Sequence, residues 1–139
     1  MHTKKVEWFE TTERWIMDFY KCTKCGNLLT YFKKGGCTAN CCGQEMVLLK
    51  PNTTDAANEK HVPVVTQNGN KVSVVVGSVE HPMLEEHSIQ WIIVETDKGY
   101  QVKYLNPGEK PAADFVLAEG ENYKAAYEFC NLHGVWKAE

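Results

Sequence analysis

Five of the six cysteines fall between Cys22 and Cys42, as Cys22-Thr23-Lys24-Cys25, an isolated Cys37, and the adjacent pair Cys41-Cys42. A unit of roughly forty residues is too small to close a hydrophobic core unaided and needs a staple. Each pair can supply two thiolates, and four thiolates complete a tetrahedron around iron or zinc. Between the pairs, Leu28 to Phe32 reads as a strand, and Lys33-Lys34-Gly35-Gly36 turns the chain back toward Cys41. The competing reading is a disulfide or a set of free thiols. Zinc ribbons usually carry two spaced pairs, and adjacent Cys41-Cys42 breaks that form. Cys37 stands outside the pattern and is read as an unliganded thiol, with ligand exchange or oxidation as the alternative.

The remaining ligand-type residues lie elsewhere. His61, His81, His87 and His133 all follow the cysteine cluster, and Cys130 sits three before His133. One turn of chain can aim Cys130 and His133 at a single ion. The other three histidines are too scattered to form a local motif, so only the fold can gather them. Soft ligands first and imidazoles later suggest two sites on two units, residues 1–50 and 51–139. The boundary is set near Lys50-Pro51-Asn52, after the strand-like Met46 to Leu49.

Length and charge narrow the class. The 139 residues suit one domain or two small ones. A formal net charge of -3 argues against a general nucleic-acid binder. No apolar run approaches a membrane span. The basic residues Lys4 and Lys5 are not followed by the apolar stretch of a signal peptide, so a cytoplasmic protein is expected. In that compartment cysteines serve more often as metal ligands than as structural disulfides.

From Val62 onward, short strand-like runs recur: Val62 to Val65, Val72 to Val76, Ile89 to Glu95, Tyr100 to Leu105 and Asp114 to Leu117. Turns are read at Gln67 to Asn70, Asp97-Lys98-Gly99 and Asn106-Pro107-Gly108. This pattern argues for an all-β sandwich. Asn122 to Phe129 is ambiguous, because Ala125-Ala126 favours helix. Asp55-Ala56-Ala57 suggests a short helical turn before Glu59. At the N-terminus, Trp8, Trp15, Ile16 and Phe19 fit one helical face, interrupted at Thr11 to Glu13. A short helix or an extended arm that packs on something is expected there.

Three segments, Glu59-Lys60-His61-Val62-Pro63, His81-Pro82-Met83 with His87, and Cys130-Asn131-Leu132-His133-Gly134, strongly resemble the superoxide reductases, in particular the two-iron desulfoferrodoxins. The resemblance runs from about Tyr20 to the C-terminus, and residues before it look like an N-terminal extension. It implies a desulforedoxin-like unit holding Fe(Cys)4 through Cys22, Cys25, Cys41 and Cys42. It also implies an immunoglobulin-like sandwich of about seven strands, with 122–129 as a strand. There the resemblance places His61, His81, His87 and His133 in a plane around a second iron, with Cys130 axial. The opposite axial position is open or carries Glu59.

The implied activity is one-electron reduction of superoxide to hydrogen peroxide, with the iron restored by an external donor such as a rubredoxin-like carrier. A homodimer is expected. In the family, the lysine matching Lys60 draws superoxide in and bonds the peroxide; the matching glutamate, Glu59, can bind the oxidised iron after product leaves. The bland alternative for both is a solvated charge pair. Trp91 and Trp136 are read as core. Two rival functions remain: an electron carrier in which both irons only relay electrons, and a zinc-stapled β-sandwich that serves as a binding module.

Overall fold

The computed structural model describes residues 17–54 and 56–139. The expected N-terminal helix or arm, with Trp8 and Trp15, lies outside the described residues, as does Asp55. The chain divides into two compact units, one ending at Leu49 and one beginning at Lys50.

The first unit is built from strands of two residues each. Strands β1 (Tyr20–Lys21), β2 (Leu28–Leu29) and β5 (Val47–Leu48) form one sheet, with β1 in the middle. Strands β3 (Asn40–Cys41) and β4 (Gln44–Glu45) form a separate hairpin. The expected strand from Leu28 to Phe32 is cut to two residues. Tyr31 leaves the sheet and its hydroxyl accepts a hydrogen bond from the Ala39 N–H at 2.7 Å. Tyr20, Cys22 and Met46 are the buried residues of a very small core.

The second unit is a seven-stranded sandwich. Strands β6 (Pro63–Asn68), β7 (Lys71–Val76) and β10 (Ala112–Val116) form one sheet, in the order β10-β7-β6. Strands β8 (Ile89–Thr96), β9 (Gly99–Tyr104), β11 (Tyr123–Cys130) and β12 (Gly134–Ala138) form the other, in the order β12-β11-β8-β9. All pairings are antiparallel. Alternate residues Val72, Val74 and Val76 face inward and meet Ile92, Val94, Phe115 and Ala126. Each such burial contributes about 1.5–3 kcal/mol for the larger side chains. Cys130 belongs to the same buried cluster, so the end of β11 is tied to the core.

Two local expectations shift and one ambiguity resolves. β6 runs on to Asn68, because Gln67 and Asn68 pair with Val72 and Lys71; only Gly69 and Asn70 form the loop, with Gly69 at φ 61°. Asn122 to Phe129 resolves as strand from Tyr123. Ala125 and Ala126 sit in a central strand bonded on both sides, where small side chains pack tightly and tertiary pairing overrides helix propensity. The helical turn α1 (Asn58–His61) contains Glu59 rather than preceding it, because Ala57 is still extended at φ -69°, ψ 116°.

Candidate metal centres

In the first unit, the Cys22–Cys25 turn is closed by hydrogen bonds from Gly26 N to Cys22 O and from Cys22 N to Asn27 O, both 2.9 Å. Gly26 supplies the left-handed conformation the turn needs, at φ 84°. The adjacent pair is accommodated differently. Cys41 ends β3, and Cys42-Gly43 is the two-residue loop to β4. Both loop residues have positive φ, 54° and 75°, as a type I′ turn requires. That twist lets neighbouring cysteines point at one place.

The sulphurs of Cys22, Cys25, Cys41 and Cys42 lie within 4.8 Å of one another. Cys25 Sγ and Cys41 Sγ are 3.5 Å apart, far beyond a disulfide bond. The Cys25 N–H beside the Cys22 sulphur holds that thiol down at about 6. Its sulphur neighbours push the Cys42 thiol up to about 12 and raise that of Cys41. Four such thiols cannot ionise together without a cation among them, so the donor set fits a metal. Cys37 is exposed and lies outside the group.

In the second unit, donor atoms of His61, His81, His87, Cys130 and His133 also lie within 4.8 Å of one another. Chain segments far apart in sequence deliver them. His61 ends α1; His81 follows β7; His87 lies just before β8; Cys130 ends β11; His133 lies in the turn to β12. The four imidazoles form a closed ring of edge-on pairs. Centroid separations are 4.7 Å for His61–His81, 4.7 Å for His81–His87, 5.2 Å for His87–His133 and 4.8 Å for His61–His133. All four interplanar angles fall between 78° and 88°.

Hydrogen bonds fix which nitrogens face inward. Nδ1–H of His61 donates to Ala57 O, and Nδ1–H of His81 to Pro82 O, each at 2.7 Å. The Nε2 atoms of both rings then carry lone pairs, and they face each other at 3.2 Å. His61 Nε2 lies 3.0 Å from His133 Nδ1. Burial lowers the pKa of His61 and His87, and that of His81 to about 4, so protonation does not relieve the His61–His81 contact near neutrality. His87 Nε2 is buried with no hydrogen-bond partner. Facing lone pairs and an orphaned nitrogen are what a bound cation would satisfy. Cys130 Sγ lies 3.7 Å from His133 Nδ1. Burial pushes its thiol up, and the N–H groups of Leu132 and His133 act against that.

Glu59 and Lys60 are exposed on α1, directly before His61. Burial lowers the pKa values of His61 and His87, and the Lys60 charge adds a smaller push in the same direction. The α1 turn is held by residues 77–79. Glu59 O accepts from Val79 N at 2.9 Å and from Ser78 Oγ at 3.3 Å. A Cβ on Gly77 would lie 2.5 Å from Val79 O and 2.8 Å from Glu59 O, so only glycine fits.

Three further residues lie beside the group in structure or sequence, in roles the sequence did not assign them. Trp136 is core as expected, but its ring also stacks on His61 at 4.9 Å, and its Nε1–H donates to His133 O at 3.0 Å. Glu128 is fully buried two residues before Cys130, with neither carboxylate oxygen bonded; burial pushes its carboxyl up to about 9. Asn131 bridges to the His87 segment. Only Asn131 left a sequence signal, its place inside the Cys130–His133 motif.

Comparison with known proteins agrees with both units. Residues 53–139 match the family model described as Desulfoferrodoxin, and residues 14–49 match Desulfoferrodoxin, N-terminal domain. A desulfoferrodoxin of Nitratidesulfovibrio vulgaris is 46% identical over 122 residues, covering 88% of this chain and 95% of the relative. A desulfoferrodoxin homolog of Archaeoglobus fulgidus is 46% identical over 123 residues, covering 88% and 97%. The crystal structure of the superoxide reductase from Treponema pallidum superposes with a TM-score of 0.75 at 39% identity, covering 89% of this chain and 99% of that one. With two ligand groups, a seven-stranded sandwich and both family models along its length, the chain belongs to the desulfoferrodoxin family.

Proposed function

We propose that this protein is a superoxide reductase, converting superoxide, one electron and two protons to hydrogen peroxide. The observation that carries the reading is the closed ring of four imidazoles with the Cys130 sulphur beside it. His61, His81, His87, His133 and Cys130 would hold one iron, and Cys22, Cys25, Cys41 and Cys42 the other. Iron held in its reduced state there would supply the single electron that superoxide takes.

The protein's own residues do the rest. Four neutral imidazoles and one thiolate leave a divalent ion with residual positive charge, which favours an anionic substrate. Lys60 extends that attraction to the surface. The overall charge of -3 would otherwise repel superoxide, so a local positive approach matters. Glu59, on the same turn, would offer a carboxylate to the oxidised ion once product has left. The tetrathiolate unit is suited to relay electrons inward from an external carrier of the rubredoxin kind. A homodimer acting in the cytoplasm in defence against oxidative stress accords with this reading. No helix among the described residues is long and apolar enough to cross a membrane.

The test combines a metal count with rapid mixing. Iron at both sites and stoichiometric loss of superoxide on mixing with reduced protein are expected. Zinc alone, with no superoxide loss after iron reconstitution, would refute the enzyme. Lys60→Ala should slow the bimolecular step several-fold to about hundredfold, weaken its dependence on ionic strength, and leave iron bound. An unchanged rate and salt slope would return Lys60 to the class of solvated surface charges.

A further inference from the structure

We infer that Asn131 is a positioning residue for His87, doing through the backbone what ring hydrogen bonds do for other histidines of the group. The inference rests on the ligand assignment proposed above. The four histidines are not anchored alike. His61 and His81 are buried, and each ring is fixed by its Nδ1–H on a backbone carbonyl. His133 sits in a turn whose carbonyl is held by the Trp136 indole. His87 is only half-buried, and among the described residues no hydrogen bond anchors its ring.

Its backbone is held instead. The Asn131 amide donates from Nδ2 to Glu86 O at 3.0 Å, and its Oδ1 accepts from Ser88 N at 3.0 Å. The Asn131 N–H donates to Ser88 O at 3.2 Å. Between these bonds, His87 exchanges both backbone bonds with Leu84, at 2.9 Å and 3.2 Å. Every backbone polar group from Glu86 O to Ser88 O is therefore engaged, and Asn131 takes those on both sides of His87. It also lies between Cys130 and His133, so one residue couples the His87 segment to two other donors.

The chemistry calls for asparagine. One end of the side chain must donate and the other accept, at a single length. Aspartate keeps the acceptor but sets a carboxylate oxygen against Glu86 O. Alanine loses both contacts. Partners that orient a metal-bound imidazole typically matter by about tenfold to hundredfold in metal affinity.

The test uses the full chain with Asn131→Ala, Asn131→Asp and His87→Ala. Iron loss to a ferrous chelator is timed, and histidine ring resonances are followed in zinc-loaded, diamagnetic protein. Asn131→Ala should speed iron loss by about tenfold to hundredfold and shift or broaden the His87 resonances, leaving those of His61 and His81 in place. Asn131→Asp, which is isosteric, should move the same quantities less and serves where the alanine variant fails to fold. Unchanged iron loss in both variants, or equal disturbance of all four rings, would overturn the inference while leaving the ligand set intact. If His87→Ala holds iron as tightly as the unaltered chain, the ligand reading itself fails, and the inference with it.

Discussion

The two metal groups use opposite strategies of construction. In the first, four sulphurs come from two tight turns, Cys22–Cys25 and Cys41-Cys42, carried on strands of two residues each. In the second, five donors come from positions as far apart as His61 and His133, and a sandwich with its own valine and isoleucine core brings them together. Among its described residues the first unit buries only Phe19, Tyr20, Cys22 and Met46. There the metal supplies much of what a core would. In the second, the core exists first and the ligands ride on strand ends and turns. A site can be local because the ion organises the chain, or dispersed because the chain is already organised.

Removing metal should separate the two most sharply. A structural tetrathiolate site contributes on the order of 10–16 kcal/mol to folding of a small unit. Chelation should therefore unfold residues 17–49, with loss of amide dispersion in NMR spectra, while the strands from Pro63 onward keep slow hydrogen exchange. A first unit that stays folded without metal would break the contrast. Next in size is a cross-test. Cys22→Ser should abolish the tetrathiolate spectrum yet leave the histidine centre's iron and its single turnover with superoxide. His81→Ala should do the reverse. Coupled loss in either variant would show that the groups are not independent.

Smaller effects probe the sandwich itself. Gly77→Ala places a methyl within 2.8 Å of Glu59 O at a left-handed backbone position. It should cost about 3 kcal/mol in urea denaturation and disturb the Lys60 approach. An effect below about 1 kcal/mol would mean that α1 is not clamped there. The smallest effect expected has the opposite sign. Glu128→Leu removes two buried, unpartnered oxygens and should stabilise the metal-free sandwich by about 1–2 kcal/mol. Destabilisation would reveal a partner for this carboxyl.

The same contrast governs what the sequence disclosed. Spacing alone marked the first group, because turns of two to four residues carry it. It did not reveal the positive φ that makes Cys41-Cys42 workable. In the second group spacing marked only the Cys130–His133 pair, and His61, His81 and His87 joined it only through family resemblance. Short strand-like runs located most strands of the sandwich; Ala125-Ala126 left 122–129 ambiguous on propensity, and pairing on both sides makes it the strand the resemblance implied. The roles of Gly77, Trp136 and Glu128 depend on contacts across the sandwich, which no local pattern encodes.

The facing lone pairs of His61 and His81 bear on metal choice. Such a donor set attracts any divalent cation of borderline softness, and nitrogen–sulphur sites generally hold zinc and copper more tightly than ferrous iron. Affinity alone therefore does not favour iron over these competitors, and selection for iron draws on geometry and on metal supply in the cell. Protein produced in zinc-rich medium should fold as well as the native form, yet be colourless and inert. Its occupancy would report on the metal balance of its surroundings.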